Sequence, residues 1–99
     1  MSYRIHILGA SGTGTSTLGR ALATALSLQV FDTDDLYWRP SDPPFVDPRP
    51  ADERVALANA LFLPRSNWVL SGSFSKWGDP IIPRLTHVIF LTLPAGARL

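Results

Sequence analysis

The sequence predicts an α/β fold with a mostly parallel sheet of about four strands. Short apolar runs alternate with stretches of helical periodicity, a glycine-rich turn joins the first run to the first helix, and the order reads β-α-β-α-β-loop-β. In such folds the crossovers are right-handed and ligands collect beyond the carboxyl ends of the strands. Three segments fall on that edge: 9–17, 32–35 and 71–79.

Tyr3 to Leu8 is a short apolar-rich run ended by Gly9, and it reads as a buried strand. From Ser16 onward, Leu18, Leu22, Ala25 and Leu26 recur at i, i+4, i+7 and i+8, which gives a helix with one apolar face through about Leu28. Gln29 to Phe31 follows as a second strand. Between Arg39 and Pro50 the composition shifts, with Pro40, Pro43, Pro44, Pro48 and Pro50 close together, so that stretch is neither regular helix nor central strand. Pro50 suits a first helical turn, Asp52 and Glu53 favour the positive end of the dipole, and Val55, Ala58, Leu61 and Phe62 form an apolar face. Pro64 stops that helix. Asn67–Ser71 and His87–Leu93 read as strands, separated by a loop holding Gly72, Gly78, Pro80 and Pro83. Trp68 and Phe90 are expected in the core. His6 and His87, with no carboxylate or serine pattern beside them, are expected to be structural.

Composition narrows the function classes. The 99 residues carry nine Lys+Arg against eight Asp+Glu, a formal charge of +1, which supplies no basic footprint for nucleic acid. There is no cysteine, hence no disulfide framework and no thiolate metal site, and a reducing compartment fits. No apolar run approaches ~18 residues and the N-terminus lacks a charged segment followed by a long apolar one, so the expectation is a soluble cytoplasmic protein with no membrane partner. A chain of this size suits one domain, burying roughly two-thirds of its unfolded surface.

The strongest chemical signal is Gly9-Ala10-Ser11-Gly12-Thr13-Gly14-Thr15-Ser16-Thr17. Glycines let consecutive N–H groups turn inward around phosphate oxygens at a helix's positive end. Against the pattern G-x-x-x-x-G-K-[ST], Gly9 and Gly14 hold the glycine positions, Ser16 holds the hydroxyl that ligates Mg²⁺, and Thr15 stands where the lysine belongs. A dinucleotide site competes, since residues 12–17 read G-x-G-x-x-G with Thr17 in place of the third glycine and Asp32 downstream. Thr17 would obstruct the close packing that position needs, and the hydroxyl run exceeds what a pyrophosphate requires. A ligand-free strand-to-helix turn is the plain alternative.

The run from Gly9 to Ala23, with Phe31-Asp32-Thr33-Asp34 and Val88 to Pro94, resembles the P-loop small-molecule and nucleoside monophosphate kinases, in particular the adenylate-kinase-like and shikimate-kinase-like branch. The resemblance implies a three-layer P-loop kinase-type fold, ATP and Mg²⁺ as cofactors, and transfer of the γ-phosphoryl group to a small-molecule acceptor. It implies phosphate binding by Gly9, Ser11, Gly12, Thr13, Gly14, Thr15, Ser16 and Thr17, and metal binding by Ser16 and Asp32. Some members of this superfamily, phosphoribulokinase-like sequences among them, also carry Thr in place of the lysine. Kinases of this group continue past the fourth strand with a lid, an adenine-binding loop and a fifth strand, which residues 1–99 are expected not to include. Residues 1–99 are therefore expected to form a single, incomplete domain, with nucleotide binding without efficient turnover as the alternative to catalysis. An unpaired edge on the fourth strand favours a homo-oligomer.

Asp32, Asp34 and Asp35 follow the second strand. An extended Asp-Thr-Asp points Asp32 and Asp34 to the same side, where one carboxylate holds a metal-bound water and the other takes a hydroxyl proton; the same residues also suit turns and caps. The resemblance sets Asp32 near Mg²⁺ and Asp34 at the acceptor. Tyr37, Trp38 and Phe45 either stack an acceptor or anchor their loop, and Arg39 and Arg49 either clamp an acceptor phosphate or lie in solvent. Gly72 and Ser73 sit where the resembled kinases contact the acceptor. Lys76, the sole lysine, is the candidate catalytic cation in place of the missing one, set against a plain solvated lysine. Ser71-Gly72-Ser73 lacks the consecutive glycines of shikimate kinases, so the acceptor expected is a nucleoside monophosphate.

Overall fold

The computed structural model describes residues 2–9 and 14–92. Its elements are β1 (Arg4–Gly9), α1 (Thr15–Leu26), β2 (Val30–Asp32), α2 (Thr33–Tyr37), α3 (Ala51–Leu61), β3 (Trp68–Ser71), a 3-10 segment (Lys76–Arg84) and β4 (His87–Leu91). All four strands are parallel, in the order β2-β3-β1-β4. None of the helices is long and apolar enough to cross a membrane, among the described residues.

Alternation along the central strands separates two cores. Ile5 and Ile7 of β1 and Val69 of β3 face α1, packing with Ala23, Leu18 and Leu22. Trp68 and Leu70 face the other way, into a cluster with Leu36, Ala58, Phe62 and Ile81 from α2, α3 and the 3-10 segment. Helices thus cover both faces, as a parallel sheet requires. Phe62 joins that second core through rings, stacked on Phe31 at 4.6 Å and edge-on to Trp68 at 4.9 Å. On the α1 side, Gly19 brings helix and sheet together: a Cβ there would meet Ser71 Cβ and Val30 Cγ2 at 3.2 Å.

Most elements fall where periodicity predicts them, and the departures have local causes. α1 stops at Leu26 because Ser27 takes a left-handed conformation (φ 56°), which lets Leu28 N–H donate to Ala23 O at 2.7 Å. α2 was not expected at all. In α3, Ala58 and Phe62 are buried but Leu61 is 39% exposed, so the true face runs through Ala58 and Phe62 with Leu57. The loop after Ser71 contains a 3-10 segment, Lys76–Arg84, with Pro80 and Pro83 inside it. Phe90, expected in the core, is 65% exposed, as is Val88 at 59%. Both lie on the face of β4 opposite Ile89 and Leu91, and no described strand pairs with the outer edge of β4. The end of the fourth strand predicted at Leu93 lies outside the described residues.

His6 points from β1 into the second layer. Its Nε2 lies 2.7 Å from Gly72 O and its ring stacks on Phe74 at 4.6 Å, so the central strand fastens the segment that follows β3. Burial holds the imidazole below its ordinary pKa of 6.5, opposed by the hydrogen bond to Gly72.

Two outcomes follow from this packing. Phe62→Ala lowers the unfolding free energy by about 3–5 kcal/mol, whereas Leu61→Ala costs about 1 kcal/mol or less; equal losses in denaturant titrations would contradict the assigned face. For His6, the unfolded chain takes up a proton before the folded one, so stability holds above pH 6.5 and declines as the pH falls below it. His6→Gln, which keeps a donor but does not titrate, flattens that decline; an unchanged slope rules out His6 as its source.

Candidate functional site

Because the strands are parallel, Gly9, Asp32 and Ser71 end β1, β2 and β3 on one edge of the sheet. α1 begins at that edge. Gly14 precedes it at φ 84°, a conformation that favours glycine, and its carbonyl accepts from Leu18 N–H at 3.0 Å. Residues 10–13, among them the expected phosphate-binding Ser11, Gly12 and Thr13, lie outside the described residues. Thr15 and Ser16 are half-buried and Thr17 is exposed. Thr17 is therefore not a point of close helix–sheet approach, as the third glycine of a dinucleotide turn would be; that approach occurs at Gly19.

Asp32 organises the edge. Its Oδ2 accepts from Ser16 Oγ at 2.8 Å and lies 3.2 Å from Ser71 Oγ, while its Oδ1 accepts from Asp34 N–H at 2.9 Å. The last of these is a helix cap: Asp32 is extended (φ −115°, ψ 138°) and α2 starts at Thr33. This corrects the expectation of an extended Asp-Thr-Asp with both carboxylates on one side. A carboxylate on the last residue of a strand satisfies an orphan N–H of the helix that follows, and capping prevails over strand continuation. Asp32 stays with Ser16 and Ser71, and Asp34 moves onto the first turn of α2 beside Asp35.

Two cavities lined by described residues adjoin this cap. The inner one, about 150 Å³, is lined by Ser16, Arg20, Asp32, Asp35 and Ser71, with Val30 and Phe31 behind. Arg20 and Asp35 were not among the expected site residues. Arg20 is legible in retrospect, since it lies one turn after Ser16 on the same helix face. The outer cavity, about 390 Å³, has Asp34 and Asp35 on one side and Trp38, Arg39, Phe45 and Arg49 from the proline-rich stretch around it. Trp38 and Phe45 meet edge-on at 6.1 Å, and a Trp38–Pro48 bridge with Arg39 N–H donating to Asp47 O at 2.8 Å closes that stretch on itself.

Charge is unevenly distributed. Partial burial pushes the Asp34 carboxyl above the usual carboxylate range, helped by the negative charges of Asp32 and Asp35; Asp35 is raised likewise by burial and by Asp32. Arg39 is held by Glu53 in an exposed ion pair that raises its pKa further, so its charge is already answered. Arg49 Nε is buried without a partner among the described residues.

Gly72 turns at φ 101°, and a Cβ there would come within 2.3 Å of Thr33 Oγ1, so glycine lets the end of β3 lie against the start of α2. Ser73 is exposed and lines neither cavity. Lys76 opens the 3-10 segment, exposed, with no hydrogen bond or ion pair among the described residues and no share in either cavity. Among the described residues no group of three or more His, Asp or Glu side chains is placed to hold a metal ion. The donors available for a cation are those at the Asp32 cap: a carboxylate and the Ser16 hydroxyl in contact, a set that suits Mg²⁺ completed by phosphate and water.

No family model matches the chain. Over all 99 residues it is 41% identical to an uncharacterized protein, YqaC, of Bacillus subtilis (strain 168), 54% of whose length is covered. A stretch of 39 residues, 39% of the chain, is 44% identical to shikimate kinase 2 of Sodalis glossinidius (strain morsitans), covering 22% of that enzyme. The chain thus spans about half the length of the first relative and a smaller part of the second.

Proposed function

We propose that the protein is a phosphotransferase of the P-loop small-molecule kinase type, taking the γ-phosphoryl group of Mg·ATP to a small acceptor, with a nucleoside monophosphate the acceptor favoured. The observation that carries this reading is the 2.8 Å hydrogen bond from Ser16, at the start of α1 beside the glycine-rich turn, to Asp32 at the end of β2. A hydroxyl and a carboxylate from separate elements meet where nucleotide phosphates would lie. The partial similarity to a shikimate kinase supports the same chemistry.

In this reading the backbone N–H groups of residues 9–15 and the positive end of α1 bind the phosphates, and Ser16 with Asp32 holds the metal. Mg²⁺, when bound, supplies neutralisation of phosphate charge. Asp34, facing the outer cavity, takes the proton of the attacking oxygen, the P–OH of a monophosphate or the hydroxyl of an alcohol, as that oxygen bonds to the γ-phosphorus, the bond from the γ-phosphorus to the ADP oxygen breaks and ADP leaves. A carboxyl held above its usual range suits that task, because a base nearer the working pH takes a proton more readily. Thr15 offers no positive charge, so the charge of transfer falls to Arg20 at the inner cavity; Lys76, which lines neither cavity, has no part in it. Trp38 and Phe45 offer the acceptor an aromatic wall, and Gly72 serves the site by letting the end of β3 lie against the start of α2.

A second reading, nucleotide binding without efficient turnover, is favoured by Thr15, which leaves no cation at the lysine position of the glycine-rich turn. Two measurements together separate these readings. Tryptophan fluorescence titrations are expected to show Mg²⁺-dependent ATP binding and no response to NAD(P), and a coupled assay ADP formation with a nucleoside monophosphate in preference to shikimate or gluconate. ATP binding without ADP from any acceptor supports the second reading; no Mg²⁺-dependent ATP binding overturns both.

Asp34→Asn is expected to lower turnover by about 10²-fold or more with Mg·ATP affinity retained. Because the folded pKa lies above the ordinary 3.8, the cost of the charged form appears as the pH rises through the folded value. The same variant is therefore more stable than its parent at pH 7 and not at pH 3; a loss of stability at pH 7 would contradict a desolvated, repelled carboxylate.

A further inference from the structure

Arg54, near the start of α3, belongs to neither cavity, yet it touches two segments that border the outer one, α2 and the proline-rich stretch, together with the 3-10 segment. Its Nε donates to Arg49 O at 2.7 Å. Its guanidinium lies 3.9 Å from the centre of the Tyr37 ring, at the end of α2, and 5.5 Å from the Trp77 ring, in the 3-10 segment next to Lys76. No carboxylate pairs with it among the described residues, where the ion pair formed is Arg39–Glu53. Its charge rests on two ring faces and a carbonyl oxygen.

The contacts continue on both sides. Toward the outer cavity, Arg49 N–H donates to Tyr37 O at 2.7 Å, so the last residue of α2 and the closing residue of the proline-rich stretch are joined twice, once directly and once through Arg54. Toward the sheet, Trp77 meets Phe74 edge-on at 5.8 Å, and Phe74 stacks on His6, which hydrogen-bonds Gly72 O. The proline-rich stretch has no helix of its own and lies between Trp38 and Arg49, so its position depends on such ties.

We propose that Arg54 is a positioning residue that holds the wall of the outer cavity, through Tyr37 and Arg49, against the 3-10 segment, and so sets acceptor affinity without touching the acceptor. A planar guanidinium stacks and donates at once, whereas a lysine retains the attraction to the rings and loses the Nε donor. The substitution series is therefore graded: Arg54→Ala removes both interactions, Arg54→Lys removes one, and Tyr37→Leu removes a ring face and keeps the arginine.

The test has two arms, and only the kinetic one rests on the phosphotransferase reading. By hydrogen exchange without substrate, residues 38–49 exchange about tenfold faster in Arg54→Ala and Tyr37→Leu, less so in Arg54→Lys, with α1 and the strands unchanged. Unchanged exchange in 38–49, or acceleration spread equally over α1, overturns the proposal. In turnover, Arg54→Ala raises the acceptor KM about tenfold with Mg·ATP affinity and kcat altered about twofold at most, and Arg54→Lys restores part of the loss. A fall in kcat at constant KM, or no recovery with lysine, overturns it. Should the parent form no ADP with any acceptor, the functional reading fails and the exchange arm still decides the role of Arg54. Should Arg54→Ala not fold, Arg54→Lys and Tyr37→Leu supply the comparison.

Discussion

The site depends on the carboxylate of Asp32. One side chain of β2 caps α2 through Asp34 N–H, accepts from Ser16 at the start of α1 and lies beside Ser71 at the end of β3. Four elements meet there through hydrogen bonds to one charged acceptor, stronger than neutral ones and held in place by two glycines. Gly19 lets α1 approach Ser71 and Val30, and Gly72 lets the chain turn against Thr33. The sheet order puts β3 between β1 and β2, so Ser71 rather than Gly9 is the strand end next to Asp32.

The same carboxylate shapes the surrounding electrostatics. Its charge adds to burial in raising Asp34, which lines the outer cavity, and Asp35, which lines both. Carboxylates held this way cost stability, and such costs are commonly found where groups are placed for chemistry rather than for folding. The cationic side chains nearby differ in availability. Glu53 occupies Arg39, aromatic rings and a carbonyl occupy Arg54, and Arg20 lies at the inner cavity one turn from Ser16.

Legibility in the sequence followed the length and periodicity of each element. β1, α1, α3 and β3 were readable because apolar residues recur at strand or helix spacing over enough positions to show. α2 was not: Thr33–Tyr37 is a single turn with Leu36 as its one buried apolar anchor, and Asp32 suits an extended strand end as well as a cap. The 3-10 segment was masked by Pro80 and Pro83, which read as loop residues. Phe90 misled because the pattern of a strand does not say whether its second face is covered; that depends on β4 lying at the sheet edge. At the site, Ser16 and Asp32 were legible as motif positions, and their contact followed from the parallel order. Arg20, Asp35 and Arg54 were not, since their placement depends on where α1, α2 and the proline-rich stretch come together in space.

Phosphate binding at the Asp32 edge is tested most directly by an amide NMR titration with Mg·ATP. Saturable shifts at Gly9, Gly14 to Thr17, Asp32 and Ser71, absent in Asp32→Ala and absent around Arg4, Arg65 and Arg84 at the opposite end of the sheet, are the expected result. Shifts centred on that opposite end, or a response that survives Asp32→Ala unchanged, would contradict it.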